Sequence, residues 1–184
     1  MVEMHYPLDD DREKFNAFYD KHITMLLSID GFLSAQRYEC THGATAPFLA
    51  VYKQRDAGVI ASKNYTSRAG RDSVDPVFKA KMTNWHRNLV EGDISNMDIG
   101  DAGWLVLIDR QSDGAPALPA DFTSLKIVGL DATIAERGVL VGQSGKPQTP
   151  DAQDGWTVRT FRPIHPPRHP AGHGNSGGIQ PEQY

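Results

Sequence analysis

Cysteine is nearly missing from this chain of 184 residues: Cys40 is the only one, so no internal disulfide can form. Runs of Lys and Arg are missing too, no aromatics interleave with basic residues, and the formal charge is −4. Nothing is therefore offered to a nucleic-acid backbone. The longest plain apolar run, Trp104 to Ile108, is far too short to span a bilayer. The opening MVEMHYPLDDDRE is acidic and has no apolar h-region, so the expectation is a cytoplasmic protein that binds neither nucleic acid nor membrane. No Gly-x-Gly-x-x-Gly or Walker loop is present to cradle a nucleotide cofactor, and no Gly-x-Ser-x-Gly elbow to present a serine nucleophile. Cys40 and His42 sit two apart at a strand end, where a Cys–His nucleophile is conceivable but the pairing reads as incidental. His5, His22 and His86 could converge only in three dimensions, and no spacing demands a metal; neither metal nor cofactor is expected.

What the chain does have is a well-marked helix with chemistry on it. Phe15, Phe18, Tyr19, His22 and Leu26 recur at helical spacing and form one stripe, which turns His22 inward. Asp10 with Glu13 resembles a capping box, and Asp9 and Asp11 add negative charge at the positive end of the helix dipole. Asp30 and Gly31 stop the helix, and FLSAQRYEC follows as a strand. Before the helix, Val2 to Tyr6 reads as a short strand with Val2, Met4 and Tyr6 on one face and Glu3 and His5 on the other. After it, Phe48 to Tyr52 is an apolar run of strand length.

Residues 54–75 are polar. Asp75-Pro76 then predicts a second helix, with Asp as N-cap and Pro in the first turn, and Phe78, Met82, Trp85 and Leu89 as its apolar stripe beside His86. With a strand at Trp104–Ile108 the order fits a ferredoxin-like plan, an antiparallel sheet with helices on one face.

The segments Phe18-Tyr19-Asp20-Lys21-His22 and Gly31-Phe32-Leu33-Ser34-Ala35-Gln36-Arg37-Tyr38 resemble the pattern of EthD-like proteins of the dimeric α/β-barrel superfamily, over residues 1–92. Asp30 stands where that family usually has proline, and Asp also starts turns. The resemblance implies an α+β fold: a ferredoxin-like unit over residues 1–110 that dimerises through its open sheet face into a barrel with an enclosed cavity. Leaving that face open would expose a large apolar patch, which points to a homodimer as well.

Beyond that unit, Leu125–Leu130, Val139–Gln143 and Trp156–Phe161 read as strands, and Asp131 to Arg137 as the only possible helix. Residues 111–163 are thus a β-rich extension or a much-reduced second repeat. Residues 164–184 form a Pro/Gly/His-rich tail in which His165, His169 and His173 are four apart, though Pro166, Pro167 and Pro170 forbid a helix. It reads as a solvated tail able to lie along a partner, with metal binding as the alternative.

In cofactor-free members of the resembled superfamily a histidine and tyrosines at the cavity move protons on cyclic or polyketide-like substrates. The resemblance therefore implies a cofactor-independent enzyme of isomerase, cyclase or lyase type for a small hydrophobic, carbonyl-bearing molecule, with His22 as base and Tyr19 or Tyr38 as donor to the oxyanion. His5, Tyr52, Trp85 and His86 are candidate substrate contacts, each also readable as a packing residue. A cofactor-free or haem-dependent monooxygenase and a non-catalytic binding protein are the alternatives.

Overall fold

Alternation of apolar and polar residues, with turn residues between the runs, produces strands in both halves of the chain. In the computed structural model, which describes residues 1–7, 11–42, 46–111, 114–147 and 155–171, these are β1 (Val2–His5), β2 (Phe32–His42), β3 (Phe48–Gln54), β4 (Thr83–Glu91), β5 (Trp104–Arg110), β6 (Thr123–Leu130), β7 (Glu136–Gly142) and β8 (Trp156–Pro163). They close into one antiparallel barrel in the order β1-β3-β2-β8-β5-β7-β6-β4, with β4 pairing back onto β1. Both halves of the chain run in the same internal order, β4-β1-β3-β2 and β8-β5-β7-β6. The halves join along two seams, β2 with β8 and β4 with β6. Among the described residues, α-helix is limited to α1 (Arg12–Leu27) and the single turns α2 (Lys63–Thr66) and α3 (Pro76–Lys79).

This architecture corrects the expected ferredoxin-like α+β unit and its dimeric α/β barrel. The sheet face that a second copy was to cover is covered by β5–β8 of the same chain. No open face is left there for the expected homodimer to use. The outer wall of the second half also needs no helices, because the segment after β5 folds back: Ala115, Leu118 and Phe122 pack on Trp104, Val106, Ile108 and Trp156.

The second predicted helix is a further correction. Asp75 does cap a helix, accepting from the Val77 N–H at 2.8 Å with Pro76 in the first turn, but α3 ends at Lys79. From Thr83 the chain is β4, and Trp85 and Leu89 lie on a strand. Pairing decides this: β4 bridges β1 and β6, and a helix here would strip both neighbours of their ladder. Asn84, at φ 46°, sits where the β1–β4 register shifts, the mark of a bulge. Residues 131–135 are likewise a turn and not a helix, and β7 begins at Glu136.

The barrel interior is filled from all sides by Tyr38, Leu49, Val51, Leu105, Leu107, Leu125, Val139 and Phe161. It also holds four charges. Glu3 of β1 and Asp109 of β5 alternate with Arg137 of β7 and Arg159 of β8. Arg137 lies 2.5 Å from Glu3 and 2.7 Å from Asp109, and Arg159 contacts both acids. All are buried, which is tolerable because the signs cancel and each ion meets two partners. Burial alone would raise the Glu3 carboxyl, yet Arg137 and Arg159 hold it down at about 2.

Past β8 the chain does not leave the body at once. Residues 164–171 run along β2, where Arg168 and Ala35 exchange backbone hydrogen bonds of 2.9 Å and Arg168 reaches Asp20 at 2.9 Å. The tail thus docks on its own chain as far as His169, whose Nδ1 lies 3.3 Å from the Leu33 carbonyl; His173 lies outside the described residues. No helix among the described residues is long and apolar enough to cross a membrane.

Candidate functional site

α1 is capped at its N-terminus by Asp11, whose side chain accepts from the Lys14 N–H at 3.1 Å, one residue later than the cap read from sequence. Its core stripe is Phe15, Tyr19, Ile23 and Leu26, all buried. Phe18 and His22 flank that stripe, and beside them the helix does not touch the barrel wall. A cleft of about 570 Å³ opens there, bounded by α1, the ends of β3 and β4, and the segment that carries α2. That volume is of the order of small-molecule sites.

The far wall is built locally. Asp56 accepts from the Gly58 N–H at 2.8 Å and Ser62 accepts from the Tyr65 N–H at 3.2 Å, which folds residues 57–66 into two short helical turns. Val59 is buried against Gly31, and the Tyr65 ring stacks on Phe32 at 6.1 Å, so this segment is pinned to the α1–β2 turn. On the β4 side, Arg71 donates to the Trp85 carbonyl at 2.8 Å and pairs with Asp131 at 2.5 Å, while its guanidinium lies over the Trp85 ring.

Phe18, Tyr19, His22, Tyr52, Tyr65 and Trp85 give the cleft an aromatic lining. Among its polar atoms, Trp85 Nε1, Gln54 Oε1 and Arg87 Nε are buried with no hydrogen-bond partner. Such atoms are costly unless something in the cleft meets them. His22 lies 6.0 Å from Phe18, ring over ring, and 6.0 Å edge-on from Tyr19. Burial, with no charged partner to oppose it, lowers its pKa to about 4, so the imidazole is neutral near pH 7.

The cleft brings together Tyr19, His22, Tyr52 and Trp85 and leaves out the other candidates. The Tyr19 hydroxyl donates to Met4 Sδ at 2.7 Å, not to His22. Burial raises the Tyr19 pKa, against the pull of Arg37, whose guanidinium lies 4.3 Å from the ring centre. Tyr52 is raised well above its ordinary value by burial. Tyr38 points into the barrel, on the opposite side of the sheet, where its hydroxyl lies 2.7 Å from Gln36 Oε1 and 2.9 Å from the Met97 carbonyl. His5 Nδ1 is 3.1 Å from Thr83 Oγ1, and His86 is exposed on the neighbouring strand. Among the described residues no group of three or more His, Cys, Asp or Glu side chains is placed to hold a metal.

Tyr65, Gln54 and Arg87 were not singled out from sequence. Tyr65 lies in a polar stretch without a period, and Arg87 lay inside a presumed helix. The alternation Trp85, Arg87, Leu89 is the signal that would have placed Arg87 on the cleft.

The chain matches no known protein family, no curated protein and no solved structure. The EthD-like resemblance is therefore withdrawn on two findings: no family match supports it, and the fold is a closed, mostly β barrel with few helices. The lyase and isomerase expectations that it carried have no other footing.

Proposed function

We propose that the protein binds a small, mostly apolar, oxygen-bearing molecule in the cleft between α1 and β4. The observation that carries this reading is the set of unpartnered buried polar atoms, Trp85 Nε1, Gln54 Oε1 and Arg87 Nε, on side chains that line a mostly apolar cleft. Few convergent polar groups in an apolar pocket orient a ligand while the rings supply the contact area. The unpaired thiol of Cys40 accords with a cytoplasmic setting.

A second reading, that the bound molecule is also turned over by proton transfer, is supported by one observation: a neutral imidazole, His22, on the cleft wall without a hydrogen-bond partner among the described residues. Tyr38 has no part in it. A single probe addresses both readings, the bicyclic ketone 2-tetralone, whose protons next to the carbonyl exchange with solvent. It should displace 8-anilinonaphthalene-1-sulfonate from the wild-type protein and not from Ile60→Trp, which fills the cleft. Displacement unaffected by Ile60→Trp sinks the cleft as the binding site. If His22 takes the proton, exchange into D2O should be accelerated by the protein and slowed on the order of 10²-fold by His22→Gln. Binding without any such acceleration leaves a binding protein and removes the catalytic reading.

A further inference from the structure

We infer that the cleft selects a planar carboxylic acid, held as its carboxylate by Arg87 and the Trp85 indole N–H. The inference rests on the cleft being the binding site and adds the chemical class of what enters it.

Of the charged side chains that line the cleft, Arg87 and Glu91 have no ion-pair partner among the described residues; Glu91 is exposed and stands four residues further along β4, roughly 13 Å away, which leaves Arg87 as the uncompensated cation beside the rings. Arg55 also lines it, but Arg55 is neutralised by Asp30 and Asp56, each 3.2 Å away. Asp131, which accepts from the Arg87 backbone N–H at 2.8 Å, has its carboxylate paired with Arg71. Arg87 itself has no carboxylate partner among the described residues, and its side chain's other neighbour, the Tyr65 hydroxyl, is neutral. A half-buried guanidinium without a counter-ion lacks a negative charge, and one delivered by a ligand would supply it. Neutral His22 adds no cation of its own.

Geometry narrows the class. Trp85 and Arg87 are two apart on one strand, so both side chains stand on the same face, and both offer unpartnered N–H groups. Two donors along one edge suit the two oxygens of a carboxylate better than one carbonyl oxygen. Around them the rings of Phe18, Tyr52 and Tyr65 offer flat surfaces to a planar body.

The test uses two probes with the same ring system, 2-naphthoate and 2-naphthalenemethanol, titrated calorimetrically into the full chain at pH 8. The wild-type protein should prefer 2-naphthoate on the order of tenfold or more, the weight of a charge-assisted hydrogen bond. Arg87→Gln should erase that preference by lowering 2-naphthoate affinity on the order of tenfold more than 2-naphthalenemethanol affinity, and a thermal midpoint close to that of the wild-type protein certifies that the variant is folded. Arg87→Lys should keep part of the preference. Equal affinity of both probes for the wild-type protein overturns the carboxylate inference and leaves the cleft in place. A preference that survives Arg87→Gln overturns the role of Arg87. Failure of both probes to bind the wild-type protein, or binding that Ile60→Trp does not reduce, overturns the cleft reading itself.

Discussion

Four side chains inside the barrel make the sharpest claim at the scale of single residues. Glu3, Asp109, Arg137 and Arg159 come from four different strands and meet with balanced charge. Removing one cation leaves two buried acids sharing the other. Arg137→Met should therefore destabilise the protein by about 3–5 kcal/mol, read as a fall in the urea midpoint; an unchanged midpoint would show that the ion pairs contribute nothing beyond their own desolvation. Acid should have a related effect. The Glu3 pKa is depressed from 4.5 to about 2, so its stabilisation is complete above pH 4.5 and is lost as pH falls from there towards 2, about 3 kcal/mol in all. His22, lowered from 6.5 to about 4, acts in the same direction, because the unfolded ring takes up a proton between those values and the folded ring does not. Urea midpoints of the wild-type protein should thus decline from pH 6.5 downwards, and the part of that decline below pH 4.5 should flatten in Arg137→Met, whose folded-state acids protonate earlier and so differ less from those of the unfolded chain.

At the scale of elements, the turn between α1 and β2 governs the cleft wall. Gly31 has φ 94°, and a Cβ there would lie 2.5 Å from Val59 Cγ2. Gly31→Ala should cost about 2 kcal/mol or more through backbone strain and overlap. Adding Val59→Ala should recover the steric part, and a double variant that is fully additive in thermal melts would mean the two residues do not press on each other. Local signals served the sequence reading well wherever an element answers to its own residues. α1 is periodic and marked at both ends, so Tyr19 and His22 were found. Seven of the strands alternate or run apolar, so Tyr52 was found on β3. β4 is the exception because its spacing suits a helix and its hydrogen-bond partners, β1 and β6, are remote in the chain. Arg87 was lost with it. Tyr65 was invisible for another reason: capping by Asp56 and Ser62 shapes that segment, and the tight turns they form carry no hydrophobic period.

For the whole molecule, what the sequence could not display is closure. Open or closed sheets contain the same strands, and only the seams β2–β8 and β4–β6 distinguish them. Since the barrel fills its own interior, light scattering at micromolar concentration should report the 20.3 kDa mass of one chain. A mass of twice that value would require an interface outside the barrel seams. The seams bear on time as well as on shape. Tyr38 pairs with Pro163, and Asn88 with Leu130, whereas β2 with β3 and β6 with β7 are joined by short connections. Neighbouring hairpins can assemble at once, but the β2–β8 seam must await a chain segment from the far end, against the entropy of a very long loop. Refolding should accordingly be slow for a protein of this size, and until the last seam zips the edges of β2 and β4 stand bare, which makes the half-closed barrel the species most prone to pair with its neighbours.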